Sequence, residues 1–194
     1  MPKAGKSALP SAVRIIAGRL KGRRIPIESE TIRPTPDRVR ETVFNWLAAH
    51  LDAVHCLDMF AGSGVLGIEA WSRGADSVIF VEQDKQAVEQ LGSRLAEFGC
   101  AGEVHQADAL RLDYSVLGPF DIVFLDPPFK GPDMVNLCTL LESSGGLSAS
   151  ALIYMEMDRC NEVPELPPNW SLIKEKTAGQ VRFALAERSI RADG

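Results

Sequence analysis

Long apolar runs, paired cysteines and clustered histidines are all missing from this chain of 194 residues. No stretch is apolar over enough residues to cross a membrane. Met1 to Pro10 carries small and basic side chains with no apolar segment, so no secretory leader is expected. The four cysteines (Cys56, Cys100, Cys138 and Cys160) form no C-x-x-C pair, and no histidine stands near them at ligand spacing. His50, His55 and His105 are scattered. These absences argue against zinc or any other bound metal and point to reduced thiols in a cytoplasmic protein. Internal repeats and low-complexity segments are missing too.

At 45% hydrophobic and 24% charged residues, the composition is that of one globular domain, expected as a monomer, with a core that needs no staples. A formal net charge of −5 argues against a nucleic-acid partner until its distribution is considered. Residues 1–40 hold ten Lys and Arg against three acids, a surplus of seven; the remainder holds eleven against twenty-three, a deficit of twelve. A basic arm on an acidic body is the asymmetry of a protein that grips phosphates with one face. The candidate RNA-binding residues are Arg19, Lys21, Arg23, Arg24, Arg38 and Arg40, because basic residues here interleave with apolar ones. A solvated tail is the plain alternative.

Val13–Ala17 and Arg23–Ile27 are β-prone, with Gly18 and Gly22 between them, and predict a hairpin with a basic tip. Arg33-Pro34-Thr35-Pro36 cannot be helical; Pro36 and Asp37 suit a helix start, and Val39, Val43, Trp46 and Leu47 continue its stripe to about His50. From Val54 onward strands and helices alternate. Strands are predicted at His55–Phe60, Ser77–Val81, Glu103–Gln106, Phe120–Leu125, Leu152–Met157, Ser171–Glu175 and Val181–Ala186. Helices are predicted at Gly64–Arg73, Asp84–Phe98 and Met134–Leu141. This order implies an α/β fold, a mostly parallel, doubly wound seven-stranded sheet. The last two strands have no helix between them and should form an antiparallel hairpin at one edge. The division expected is residues 1–35 as basic arm and hairpin and residues 36–194 as the α/β domain.

Gly62, Gly64 and Gly67 satisfy G-x-G-x-x-G immediately after the first strand of that domain. Small residues there let the chain turn tightly and let backbone N–H groups meet a ligand. Glu82, 20 residues beyond Gly62, ends the next strand, where a carboxylate can accept both hydroxyls of an adenosine ribose. Loop and acid alone fit a dinucleotide enzyme equally well, and a bare packing turn is the bland alternative. Asp58 narrows the choice: an acid before the loop would repel a pyrophosphate but suits a cofactor with an ammonium and a sulfonium. Asp108, after the third strand, can accept from an adenine amino group or can be a simple turn residue.

Asp126-Pro127-Pro128-Phe129 follows the apolar run Phe120–Leu125, at the strand end where open α/β sheets bind ligands. The lone pair of an aromatic amine is delocalised into its ring, so the nitrogen is a poor nucleophile. The Asp126 carboxylate and the Pro127 carbonyl can each accept one N–H and aim the lone pair at a methyl donor. Phe129 offers a flat face for a base. Positive charge growing on the amine would be stabilised by Asp126 where it develops. A rigid turn with Asp126 as a helix cap is the alternative.

With these motifs the chain resembles the class I methyltransferases that act on amino groups, and more specifically the bacterial 16S ribosomal RNA guanine-N2 methyltransferase (RsmD-like) family. The resemblance spans nearly the whole chain. It is carried by Arg14-Ile15-Ile16-Ala17-Gly18, Gly22-Arg23-Arg24, the block from Arg33 to Leu47, Asp58 to Gly64, Asp126-Pro127-Pro128-Phe129 and Thr177-Ala178-Gly179-Gln180. Val65 and Trp71 are mild departures. The resemblance implies a class I sheet that binds S-adenosyl-L-methionine through Thr35, Asp58, Phe60, Gly62, Gly64, Glu82, Asp108 and Ala109. It implies catalysis by Asp126, Pro127 and Phe129, on ribosomal RNA or an assembling small subunit. The residues themselves say only "exocyclic amine". A DNA adenine-N6 methyltransferase, a protein-amide methyltransferase, an NAD-linked dehydrogenase and a non-catalytic RNA-binding module remain alternatives at this point.

Overall fold

A computed structural model describes residues 12–27, 36–128 and 131–190. The predicted hairpin forms, as short antiparallel strands β1 (Ala12–Arg14) and β2 (Arg24–Pro26) with Val13 facing Ile25. Helix α1 (Asp37–Trp46) starts after Pro36 as expected but stops four residues early, continuing as a 3-10 turn over Ala48–His50. Then come β3 (His55–Asp58), α2 (Val65–Arg73), β4 (Ser77–Glu82), α3 (Lys85–Phe98), β5 (Gly102–Gln106), β6 (Phe120–Leu125), α4 (Met134–Ser143), β7 (Leu147–Asp158), β8 (Trp170–Ala178) and β9 (Val181–Arg188). The main sheet has seven strands in the order β5-β4-β3-β6-β7-β9-β8. β3 to β7 run parallel, while β9 is antiparallel to both β7 and β8.

Strand β7 begins five residues before the expected Leu152. Its first part, Leu147-Ser148-Ala149-Ser150, is partly polar and exposed, so it lacks the alternation that marks a strand. It pairs through Leu147 with Phe120 before an irregularity shifts the register. The edge strand β8 carries Lys174, Glu175 and Lys176 in its exposed middle, which discourages pairing with another chain.

Two apolar layers sandwich the sheet. One joins α1, α2 and α3 to the face of Cys56, Phe80, Phe124 and Tyr154. The other joins α4 to the face of Leu57, Val123, Leu125 and Met155. The hairpin belongs to the first layer: Val13, Ile15 and Ile25 are buried in it. Its anchor is Glu69 of α2, fully buried, which accepts the Ile16 N–H at 2.8 Å and the Ala17 N–H at 3.0 Å. The same carboxylate takes Arg73 Nε at 2.7 Å and lies 3.5 Å from Arg40. At the far end of the sheet Arg188 of β9 grips Glu142 of α4 with two hydrogen bonds of 2.7 and 2.9 Å, a bidentate pair that pins α4 to the terminal hairpin.

Candidate active site

The strand order reverses at β3, whose neighbours β4 and β6 lie on opposite sides. Open α/β sheets bind ligands in the crevice at such a switch point, outside the carboxyl ends of the strands. Four acids stand at those ends: Asp58 closes β3, Glu82 closes β4, Asp108 follows β5 and Asp126 follows β6. Beyond β3 the chain leans first to one neighbour and then the other, with the Met59 N–H donating to the Phe124 carbonyl at 3.1 Å and the Ala61 N–H to the Val81 carbonyl at 2.9 Å.

The glycine loop follows. Gly64 caps α2 with φ +75°, a conformation that glycine adopts without strain. Gly67 serves packing, because a Cβ there would come within 2.3 Å of the Phe80 ring on β4. The carboxylate of Asp58 lies under the loop, 2% exposed, and accepts the Gly67 N–H at 3.0 Å. Burial pushes its pKa up from 3.8 to about 7, and the charge of Glu82 adds to the rise. Glu82 takes the Gly62 N–H on one oxygen and the Asp84 N–H on the other, both at 2.8 Å, so it faces the loop with its orientation fixed. Asp84 in turn caps α3 by accepting the Ala87 N–H at 2.8 Å. Sequence reasoning missed Arg94 of α3, which is buried and donates to the Ser63 carbonyl at 2.7 Å, tying the loop from behind.

Asp108 is partly a turn residue, since its carboxylate accepts the Leu110 N–H at 3.0 Å and sits 3.5 Å from exposed Arg111. Phe60 is half-buried at the loop, and Ala109 is buried with its carbonyl taking the Tyr114 hydroxyl at 2.8 Å. Asp126 and Pro127 are half-buried at the end of β6. Beside them a cavity of about 540 Å³ opens between this turn and the end of β7, lined by Pro127, Pro128, Met134, Glu156, Met157 and Asp158. Its size is that of a small-molecule site. Thr35 and Phe129 lie outside the described residues.

The basic candidates divide. Arg40 is corrected: it is fully buried, bonded to Asp37 at 2.7 Å and to the Arg14 carbonyl at 2.9 Å, and paired with Glu69. It cannot reach a phosphate without unfolding α1. In sequence it stood beside Arg38 in a polar stretch, and nothing local signalled a buried acid 29 residues away. Arg38, Lys21 and Arg24 are exposed. Arg19 is exposed but stacked 4.2 Å over Trp71, and Arg23 lies 4.9 Å over Phe98 and 3.2 Å from Glu97. Trp71, Glu97 and Phe98 are at the carboxyl ends of α2 and α3, whereas the glycine loop and Asp84 are at the opposite ends. The basic tip is therefore displaced from the loop by the length of α2, about 13 Å.

Glycine loop, acid-ended strands and the strand order with a reversed β9 together define a class I methyltransferase fold. The chain belongs to the family described as Conserved hypothetical protein 95, whose model matches residues 13–187. Curated relatives include "Ribosomal RNA small subunit methyltransferase D" of Escherichia coli (strain K12), 43% identical over 183 residues, with 93% of this chain and 92% of the relative covered. The protein of the same name from Haemophilus influenzae is 44% identical over 180 residues, covering 89% of this chain and 92% of the relative. Among solved structures, the Escherichia coli protein yhhF superposes with a TM-score of 0.83 at 42% identity, over 92% of this chain and 98% of that one. An RNA methyltransferase from Salinibacter ruber in complex with S-adenosyl-L-homocysteine shares the fold, with a TM-score of 0.60 at 19% identity over 82% of this chain and 97% of that one.

Among the described residues no helix is long and apolar enough to cross a membrane, and no group of three or more His, Cys, Asp or Glu is set to hold a metal ion.

Proposed function

We propose that this chain methylates the 2-amino group of a guanine in small-subunit (16S) ribosomal RNA, using S-adenosyl-L-methionine. The observation that carries the reading is the position of Asp126-Pro127 at the end of β6, next to the glycine loop across the switch point. The donor set fits the cofactor. Asp58, Glu82 and Asp108 supply carboxylates and no cation, which suits a ligand with ammonium and sulfonium charges and opposes a pyrophosphate. When bound, the cofactor supplies an electrophilic methyl group on its sulfonium. Glu82 is oriented by its two backbone donors to accept ribose hydroxyls, Asp58 to balance the ammonium, and Asp108 to meet the adenine amine beside Ala109. Phe60, Gly62, Gly64 and Thr35 complete the binding set.

Asp126 and the Pro127 carbonyl each accept one N–H of the target amine, so the nitrogen lone pair is held in line. As charge builds on the nitrogen, the adjacent Asp126 carboxylate stabilises it and can take the departing proton. Phe129 stacks on the base. A paired guanine must first be flipped out, at a cost of a few kcal/mol, which makes a loop nucleotide the cheaper target. The arm of residues 1–35 grips RNA while residues 36–194 carry out the transfer. Because the basic tip stands a helix length from the loop, Arg19, Lys21, Arg23 and Arg24 hold RNA remote from the flipped base, and the exposed Arg38 of α1 adds a further phosphate contact. The substrate is ribosomal RNA or an assembling small subunit, met in the cytoplasm by a monomer.

The test is a tritiated-methyl assay on 16S ribosomal RNA and on partly assembled small subunits, followed by nucleoside analysis. Label in N2-methylguanine supports the reading. Label in N6-methyladenine, or only in DNA or protein, overturns the substrate.

A further inference from the structure

The cavity beside Pro127 and Pro128 is bounded on its β7 side by Glu156, Met157 and Asp158. Glu156 stands out because it is only 5% exposed, a costly place for a carboxylate unless it is hydrogen-bonded. Tyr154, two residues earlier and so on the same face of the strand, donates its hydroxyl to Glu156 Oε2 at 2.7 Å. The tyrosine is itself fully buried, its ring edge-on to Phe124 with centroids 6.2 Å apart. Burial and the nearby charges of Glu156 and Asp126 raise its pKa well above the ordinary 10, so it remains a donor at every working pH. Leu125 of β6 pairs with Met155 of β7, and the next step along each parallel strand is Asp126 and Glu156. Two carboxylates thus stand side by side at the carboxyl edge, the second held by a tyrosine placed beneath it.

Holding an amino group needs only Asp126 and the Pro127 carbonyl. A second acid has a use in the differences among the bases. Adenine, cytosine and guanine all carry an exocyclic amine. In adenine and cytosine every ring nitrogen next to that amine is a lone-pair acceptor. Guanine alone presents an N–H donor there, at N1. A carboxylate at that spot gives guanine a charge-assisted hydrogen bond and sets two acceptors face to face for the other bases. Sites built to hydrogen-bond a group reject analogues lacking it far more strongly than apolar pockets do, because a buried partner is left unpaired.

We propose that Glu156, positioned by Tyr154, accepts the N1–H of the target guanine and so restricts the enzyme to that base, a reading that rests on base methylation at Asp126. A carboxylate offers about four acceptor sites, so the bond from Tyr154 does not prevent one from a base. The role is one of specificity, separate from the holding of the amine.

The test compares 16S ribosomal RNA carrying guanine at the labelled position with the same RNA carrying 2-aminopurine there. 2-Aminopurine keeps the 2-amine but has a bare N1. The full-length wild-type protein should prefer guanine by about a hundredfold in kcat/KM, the size of one charge-assisted hydrogen bond to a buried group. Glu156→Gln presents an amide that can donate to a bare N1. This variant should lose about ten- to a hundredfold on guanine and narrow or reverse the preference, with S-adenosyl-L-methionine affinity unchanged. Tyr154→Phe should move the preference the same way by less. If wild-type protein methylates guanine and 2-aminopurine equally, or Glu156→Gln keeps the full preference, the role of Glu156 is refuted while base methylation stands. If wild-type protein labels no guanine, the underlying reading fails and this one with it. 2-Aminopurine also lacks the 6-oxygen, so it is the change of preference between wild type and variant that isolates Glu156. Should Glu156→Gln not fold, Tyr154→Phe decides in its place, and a preference equal to that of the wild type refutes the role.

Discussion

Replacing Asp58 with Asn should make the protein more stable at neutral pH and worse at its work. Asp58 is fully enclosed under the glycine loop, with a pKa raised from 3.8 to about 7. In the unfolded chain the proton leaves near pH 4; in the fold it stays until about pH 7. Across that window the folded state binds more protons, so stability falls as pH rises, by about 1.4 kcal/mol per pH unit for one proton. The contribution is fully present below about pH 4 and lost by pH 7, roughly 4 kcal/mol in all. Asparagine keeps an oxygen for the Gly67 N–H and cannot titrate. Urea unfolding at pH 5 and pH 8 should therefore show the variant gaining on the wild type as pH rises, by about 3 kcal/mol, the part of that window lying between about pH 5 and pH 7. Cofactor binding should move oppositely. A ligand ammonium favours the carboxylate, so wild-type affinity for S-adenosyl-L-methionine should weaken about tenfold per unit as pH drops below 7. The variant should bind weakly and without that slope. A wild-type affinity that is flat from pH 5.5 to 7.5, together with a variant destabilised at pH 8, would refute the reasoning.

Glu69→Ala should cost about 3–5 kcal/mol in denaturant unfolding, because it leaves Arg40 buried with only the exposed Asp37 for its charge and frees the Ile16 and Ala17 N–H groups; a loss under about 1 kcal/mol would mean that the hairpin anchor lies elsewhere. Glu82→Ala should weaken S-adenosyl-L-methionine binding by about 1–3 kcal/mol in calorimetry, through the removal of charge-assisted hydrogen bonds and a loosened Gly62. Replacing Lys21 and Arg24 together with Ala should lower RNA affinity and flatten its salt dependence, by about 0.7–0.9 log units of slope for each phosphate no longer neutralised, with cofactor affinity intact; an unchanged salt slope would remove the tip from the RNA interface.

The main chain of the site was legible because its signals are local. A glycine loop after an apolar strand, an acid ending the next strand and a proline-stiffened turn after a buried strand each lie within a few residues of the strand that carries them. The parallel order followed from the alternation of elements, and the final antiparallel pair from the missing helix before Val181. What stayed hidden depends on packing between distant segments. Arg40 reads as a surface arginine until Glu69 is packed against it. Arg94 holds Ser63 from 31 residues away. The early part of β7 has no alternation, and only its pairing with Phe120 makes it a strand. Tyr154 and Glu156 looked like ordinary members of a core strand, and the cavity that gives them meaning forms only when β7 lies beside β6.

The proposed methyl transfer requires Asp126 to act on the target amine and not in holding the cofactor. Single-turnover methylation of 16S ribosomal RNA by wild-type protein and Asp126→Ala, at saturating S-adenosyl-L-methionine and with cofactor Kd measured alongside, tests this directly. The prediction is a rate lower by about a hundred- to a thousandfold at unchanged cofactor Kd, the scale of losing one preorganised partner of the developing charge. A near-normal rate, or a loss traced wholly to cofactor binding, would contradict it.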